Sequence, residues 1–202
     1  MVRVKDVKPH RCDEVLWKIV EPLRSAKSPV VGEVGSWQGR TALLMAEWIF
    51  GPGGVFYAVD HFRGSEGDDQ ALRAAAGNRL LHGYFERTRH QSNLHTLVMG
   101  SLEAANIFKD NMFDFFYIDG DHLYKSIKAD IEAWYPKVKP GGVLGGHDCG
   151  CHANDVDPAI LMIEDRPRHE ETTLFPGVIR AVCERFDKEQ LHIEKGIWWI
   201  RK

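Results

Sequence analysis

Two short stretches of the chain carry most of its reactive side chains. "IDGDHLY", Ile118–Tyr124, holds Asp119, Asp121 and His122. "GGVLGGHDCGCH", Gly141–His152, ends an apolar run and then sets His147, Asp148, Cys149, Cys151 and His152 within six positions. Carboxylates beside imidazoles can hold a divalent cation or move a proton near neutral pH. The thiols raise a further chemistry, a structural zinc site. The spacing argues against it, because such sites present cysteines as Cys-x-x-Cys and Cys-Gly-Cys is too tight. His147 and Asp148 therefore read as part of a reactive edge, with Cys149, Cys151 and His152 opening a loop.

A third stretch, "EVGSWQGRT", suits a ligand rather than a proton. Gly35 lets the backbone turn sharply, and Gly39 lets the next helix start close to whatever is bound. The amides of Ser36–Gly39 lie at a helix N-terminus and favour a polar or anionic group. Asp60 follows at roughly the twenty-residue interval of a ribose-binding acid, and its two oxygens can accept from two hydroxyls. The dinucleotide pattern G-x-G-x-x-G is absent, and Glu33 would repel a pyrophosphate. A ligand with an ammonium and no phosphate fits better.

These residues must be positioned by something. The expected elements are a helix over Asp13–Arg24 interrupted by Pro22, a strand over Pro29–Gly35, a helix over Arg40–Phe50 and a strand over Val55–Asp60. A helix around Ala71–Arg89 follows, then a strand over His95–Gly100, a short helix over Leu102–Phe108 and a strand over Met112–Asp119. Tyr124–Val138 reads as a helix, Gly141–Gly146 as a strand, Asp148–Phe175 as a long loop and Gly177–Phe186 as a helix. The aromatic end "LHIEKGIWWIRK" reads as a hairpin turning at Lys195-Gly196 and packed in the core. Strands alternating with helices imply an α/β, doubly wound sheet, mostly parallel, with an antiparallel C-terminal hairpin strand. In such sheets ligands bind beyond the carboxyl ends of the strands. Glu33–Gly39, Asp60–His61, Gly100–Ser101, Asp119–His122 and His147–Asp148 all fall there.

The bulk composition narrows the classes. A chain of 202 residues with 44% hydrophobic and 27% charged residues suits one globular domain, 1–202. Its parts are an N-terminal helical segment, 1–28, and two inserts, 61–94 and 148–176, that wall or lid the site. Phe62, Trp37, Tyr124 and Phe175 are candidates to line it. A net charge of −3 gives no basic footprint, so nucleic acid is not an expected partner. No apolar run is long enough to span a bilayer, and "MVRVKDVKPH" lacks a signal peptide's apolar core, so a cytoplasmic location with no membrane partner is expected. Four cysteines do not make a disulfide framework.

"GEVGSWQGRTALLMA", "VFYAVDHF", "FDFFYIDGDHLYKSIKADIEAW" and "VKPGGVLGGHD" together resemble the class I S-adenosylmethionine-dependent methyltransferases, most of all the small-molecule O-methyltransferase branch with an "IDGDHxY" signature. The resemblance covers residues 30 to 186. It implies a Rossmann-like, seven-stranded sheet of order 3-2-1-4-5-7-6. It implies S-adenosyl-L-methionine as cofactor, a small hydroxylated molecule as acceptor, and self-association into dimers or larger assemblies. Glu33, Gly35, Ser36, Trp37, Gly39 and Thr41 would surround the methionine part. Asp60 and His61 would meet the ribose, and Gly100, Ser101 and Leu102 the adenine. Asp119 and His122 would stand where cofactor and acceptor meet.

The cation-dependent catechol-type and caffeoyl-coenzyme-A-type enzymes are similar in layout, as are the macrolide-sugar and cephalosporin-hydroxylase groups. By position the resemblance assigns Asp119, His147 and Asp148 as metal ligands, with Mg2+ or Mn2+ as the ion. This chain has His147 where the family has an Asp. Imidazole suits magnesium less well, which turns the preference toward manganese, iron or zinc, or toward no metal. Without a metal, His122 or His147 would be the general base, with Asp148 beside it. His122 could equally cap the next helix. Two other classes stay open on these residues. A nucleotide-binding oxidoreductase is opposed by Glu33 and the missing third glycine, and a non-catalytic cofactor binder by the His-Asp clusters.

Overall fold

A computed structural model describes residues 10–65, 69–164 and 166–202; parts of the expected segments 1–28, 61–94 and 148–176 lie outside the described residues. Seven strands form one sheet: β1 Val30–Val34, β2 Val55–Val59, β3 Leu94–Leu97, β4 Phe113–Ile118, β5 Val138–Gly146, β6 His192–Glu194 and β7 Ile197–Arg201. Their order is β3-β2-β1-β4-β5-β7-β6, the order the resemblance implies. The first five are parallel, and β7 runs antiparallel to both β5 and β6.

The sheet is covered on both faces, as a parallel sheet must be. Along β4, Phe116 and Ile118 join one core while Phe115 and Tyr117 join the other. The first core lies under α5 (Ser101–Ala105), α6 (Tyr124–Trp134) and α8 (Pro176–Arg185), where Phe116 stacks on Trp134 with ring centroids 3.9 Å apart. The second lies under α1 (Asp13–Val20), α2 (Arg40–Trp48) and α4 (Arg79–Thr88). Trp198 is wholly buried in the first core, and Trp199 packs against the second, so the terminal hairpin closes both layers.

Element ends depart from the sequence pattern where local chemistry intervenes. Pro22 cannot donate to the preceding turn, so α1 ends at Val20 and a 3-10 turn carries on to Ser25. The helix expected over Ala71–Arg89 is two, α3 (Asp69–Ala75) and α4, because Gly77 and Asn78 take left-handed backbone angles. α6 stops at Trp134, ahead of Pro136, and β5 begins earlier than expected, at Val138. The expected loop after Asp148 holds a 3-10 turn, Ala153–Asp155, and a short helix α7, Pro158–Leu161, whose Asp157 side chain caps Ala159 N at 2.9 Å. Val156 is buried in the first core, and Ile160, Leu161 and Leu174 pack against it. Their apolar surface therefore turns inward to that core.

Candidate active site

The strand ends are tied to one another by a staircase of backbone bonds. Asp60 N donates to Leu97 O at 3.2 Å, Gly35 N to Val59 O at 2.9 Å, Asp119 N to Val34 O at 2.8 Å and His147 N to Ile118 O at 3.1 Å. Each site residue is thus fixed by the last carbonyl of its neighbouring strand. Gly35 makes the closest approach. Its φ is 87°, and a Cβ there would lie 1.9 Å from Asp119 O, so only glycine lets β1 and β4 turn outward side by side.

Two compartments open beyond this edge. The larger, about 760 Å³, runs from Asp60, His61 and Arg63 across Gly35 and Trp37 to Gly100, Ser101 and Leu102, and is closed by Asp119, Asp121 and Asp130. The smaller, about 400 Å³, is lined by Ser36, Gln38, Arg40, Thr41, His122 and Asp148. Gly35, Trp37, Ser65, Asp119 and Gly120 belong to both. A molecule in one would therefore meet a molecule in the other at Asp119.

Most of the sequence-derived positions line this double cleft, but not all. Glu33 is fully buried beneath it, and neither of its oxygens has a hydrogen-bond partner. Burial lifts its carboxyl well above the usual range. Ser36 Oγ is also buried and unpartnered. Gly39 serves as the left-handed residue before α2, where a Cβ would meet Thr88 Cγ2 at 2.7 Å. Asp60 is held by two amides, accepting from Trp37 N at 2.8 Å and Phe62 N at 2.6 Å, which leaves one lone pair on each oxygen for a ligand. His61 uses its Nδ1 to accept from Arg63 N. Asp121 is occupied in starting α6, accepting from Leu123 N and Ser126 Oγ. Of the aromatic candidates, Trp37 lines both compartments; Phe62 is core against Tyr84, Tyr124 is tied to Glu184, and Phe175 packs on the His122 ring at 4.7 Å. The described part of 148–176 gives only Asp148 to the compartments; Val156 is buried in the core with Ile160, Leu161 and Leu174 against it, while Met162 is exposed.

The reactive group is an ion cluster. Asp148 Oδ2 lies 2.8 Å from His122 Nε2 and 3.2 Å from His147 Nδ1, and His147 Nδ1 stands 3.7 Å from Asp119 Oδ1. His122 Nε2 finds no partner in hydrogen-bond geometry, so its pairing with Asp148 is ionic rather than directional. The state of His147 follows from its neighbours. Cys12 Sγ donates to Lys195 O at 3.2 Å, so at 3.3 Å it can only accept from His147 Nε2. Nδ1 faces two carboxylates and must donate as well. The ring is an imidazolium. Against burial, which would lower it, the Asp148 bond and the Cys12 thiol raise the His147 pKa to about 11. Burial works against His122 also, but Asp148 raises it. Burial would lift Asp148, yet the two imidazoles hold it well below the carboxylate range. Asp119 has no such bond, and its withdrawal from water pushes it up to about 7.

Asp119, His122 and Asp148 each offer one donor atom, all within 4.8 Å of one another, a spacing that could hold a metal ion. His147 stands beside this group with Nε2 turned to Cys12, so the set that closes has His122 where the sequence reading has His147. The thiols take no part in it. Cys149 is buried in the core and donates to Cys151 O at 3.5 Å, while Cys183 Sγ accepts from Ala153 N.

Two contributors escaped the sequence reading. Cys12 gave no signal, since it meets His147 only through the fold. Asp130 did give one: an acid among Ile127, Ile131 and Trp134 on the apolar stripe of α6. It is 5% exposed, burial pushes it up to about 6, and it accepts from Ser101 Oγ at 2.5 Å.

Comparison with known proteins gives these positions a context. A family described as "Methyltransferase domain" matches residues 33–149. Over 93 residues the chain is 30% identical to the uncharacterized protein y4gI of Sinorhizobium fredii, a match spanning 46% of this chain and 10% of that protein. In fold it is similar to the SAH-bound methyltransferase PaMTH1 of Podospora anserina, with TM-score 0.61, 10% identity and coverage of 97% and 80% of the two chains. It is also similar to a provisionally assigned caffeoyl-CoA O-methyltransferase of Staphylococcus aureus, with TM-score 0.59, 15% identity and coverage of 98% and 88%.

Proposed function

The chain belongs to the methyltransferase-domain family, and from that premise we propose that it moves the methyl group of S-adenosyl-L-methionine to a hydroxyl of a small molecule. The observation that carries the reading is the shared wall of the two compartments, where Asp119 and Gly35 adjoin both. A donor in the larger space and an acceptor in the smaller would face each other there, as an in-line displacement requires.

S-adenosyl-L-methionine, when bound, supplies a methyl group on a sulfonium, already a good electrophile. The chain has to orient the acceptor oxygen and take its proton. Asp60 offers acceptor lone pairs at the ribose end, and the buried carboxyl of Glu33 with Ser36 Oγ leaves unpaired polar atoms beneath the methionine end. His147, raised to about 11, is held protonated, and Asp148 raises His122 in the same direction, so both are poorer proton acceptors than a free imidazole. Asp119, with a pKa near 7, is the group poised as general base, which departs from the His-base expectation. In its protonated form His122 stabilises oxygen anions forming beside it.

The donor set Asp119, His122 and Asp148 fits a divalent cation, and its one imidazole and two carboxylates favour manganese or iron over magnesium. Such an ion would lower the pKa of a hydroxyl placed against it.

Calorimetry with S-adenosylhomocysteine tests the reading, on metal-stripped protein and again with Mg2+ or Mn2+. Micromolar binding with turnover of a hydroxylated acceptor is expected. Absence of binding under every condition would leave only the fold. Heat from the metal that requires Asp119, His122 and Asp148 would assign the ion to that group.

A further inference from the structure

Cys149, Cys151 and His152 have no task in the proposed chemistry, and the fold brings a further thiol to them, Cys183 of α8. Two of the sulfurs rest on one turn. Cys149 Sγ donates to Cys151 O at 3.5 Å, and Cys183 Sγ accepts from Ala153 N at 3.4 Å. Across that turn the Cys149 and Cys183 thiols interact with each other. They differ in access. Cys149 is fully buried in the first core, whereas Cys183 is half-buried against it. They differ in reactivity too. Contact with Cys149 lowers the Cys183 thiol below the usual range against burial, and Ala153 N and the His152 imidazole add to this. Such surroundings favour the thiolate, the nucleophilic form.

The pair spans the two arms of the reactive cluster. Cys149 follows Asp148 directly, and Asp148 has a φ of 59°, a conformation that costs a non-glycine residue energy. At its other end α8 backs His122. Phe175, just before α8, packs on the His122 ring at 4.7 Å, and a Cβ on Gly177 would lie 2.5 Å from His122 O. A disulfide brings its sulfurs to about 2 Å, so closing one here draws the Asp148 backbone toward the helix behind His122.

We propose that Cys149 and Cys183 are a redox pair, a modification site at which a hydroperoxide closes a disulfide and shifts Asp148 within the reactive cluster. The Cys183 thiolate attacks one peroxide oxygen. The S–O bond forms, the O–O bond breaks, and the departing oxygen takes up a proton. Cys149 then attacks the sulfenic sulfur. The S–S bond forms, the S–O bond breaks, and hydroxide leaves with the Cys149 proton as water. The sulfur pair is oxidised by two electrons, and hydrogen peroxide is reduced to water.

The test treats the whole chain with hydrogen peroxide, alkylates the remaining thiols and maps the peptides, for wild type, Cys183→Ser and Cys149→Ala. Cys183→Ser keeps an acceptor for Ala153 N. The wild type should yield a Cys149–Cys183 bridge that dithiothreitol reopens. It should lose thiols roughly tenfold or more faster than Cys183→Ser. Cys149→Ala lacks the resolving thiol and should stop at a sulfenic acid on Cys183, trapped by dimedone. The imidazole NMR resonances of His122 and His147 should move when the wild type is oxidised and stay in place in Cys183→Ser. A bridge through Cys151 instead, or peroxide treatment that leaves Cys183 and Cys149 as free thiols, would overturn the pair. A mapped Cys149–Cys183 bridge with unmoved imidazole resonances would overturn its link to the cluster.

Discussion

Cys12 Sγ lies 3.3 Å from His147 Nε2, although 135 positions separate the two in sequence. The thiol comes from the residue preceding α1, and the imidazole from the end of β5. Through His147 the contact reaches Asp148, and through Asp148 it reaches His122. The N-terminal helix thereby takes part in orienting the reactive cluster. Removing the acceptor at Cys12 should free His147 to turn. Cys12→Ala is expected to lower turnover by about tenfold with S-adenosylhomocysteine affinity unchanged, while Cys12→Ser, which keeps both a donor and an acceptor, stays near wild type. Steady-state kinetics beside calorimetry would decide it; equal effects of the two variants would reduce Cys12 to packing.

The His147 imidazolium should also be visible in stability. Its folded pKa of about 11 lies above the ordinary 6.5, raised against burial by Asp148 and Cys12. The stabilisation is fully present below pH 6.5 and is lost as pH rises through about 11. His147→Asn should therefore be far less stable than wild type near neutral pH, and the gap should close in strong alkali. Denaturant midpoints across that range check the sign, and a gap that widens with pH would contradict the ion cluster.

Asp119 gives the same sign of pH dependence in a lower range, although here the charged form is the disfavoured one. Burial raises its carboxyl to about 7, so the stability tied to its protonated form is present below its ordinary 3.8 and lost as pH rises through about 7. Asp119→Asn should cost little stability, or add some, in mild alkali. It should also reduce kcat by at least ~100-fold while sparing cofactor binding. For metal-free wild type, kcat/KM should fall as pH drops below about 7. A flat pH profile with activity retained in the variant would take the base role from Asp119.

Asp60 holds two backbone amides as well as its proposed ligand. Asp60→Ala should weaken S-adenosylhomocysteine binding by about 1.5–3 kcal/mol through lost charge-assisted bonds. Unchanged affinity in calorimetry would remove Asp60 from the cofactor site.

Gly35→Ala should not give a folded protein with an intact cleft. The added Cβ would lie 1.9 Å from Asp119 O at a φ of 87°. A variant with wild-type melting temperature and ligand affinity would show that β1 and β4 can part at no cost.

Much of this architecture is written locally. Alternating strands and helices, apolar strand cores and acids at strand ends place Asp60, Asp119 and Asp148 at one edge, because period and turn chemistry act over a few residues. Gly35 was legible for the same reason, since a positive φ is a local demand. What the sequence alone left open is which of those side chains meet. His147 reads as a ligand; in the fold its Nε2 meets the thiol of Cys12, while its Nδ1 faces Asp119 and Asp148. Asp121 looked reactive, and it serves the start of α6. The segment after Asp148 reads as a lid; in the fold Val156 is buried in the core and Leu174 packs, partly buried, against it. Asp130 takes its bond from Ser101, 29 positions before it, and Ser101 in turn accepts from Trp134, 33 positions after Ser101. Contacts of that kind depend on sheet order and helix packing, which only the tertiary structure decides.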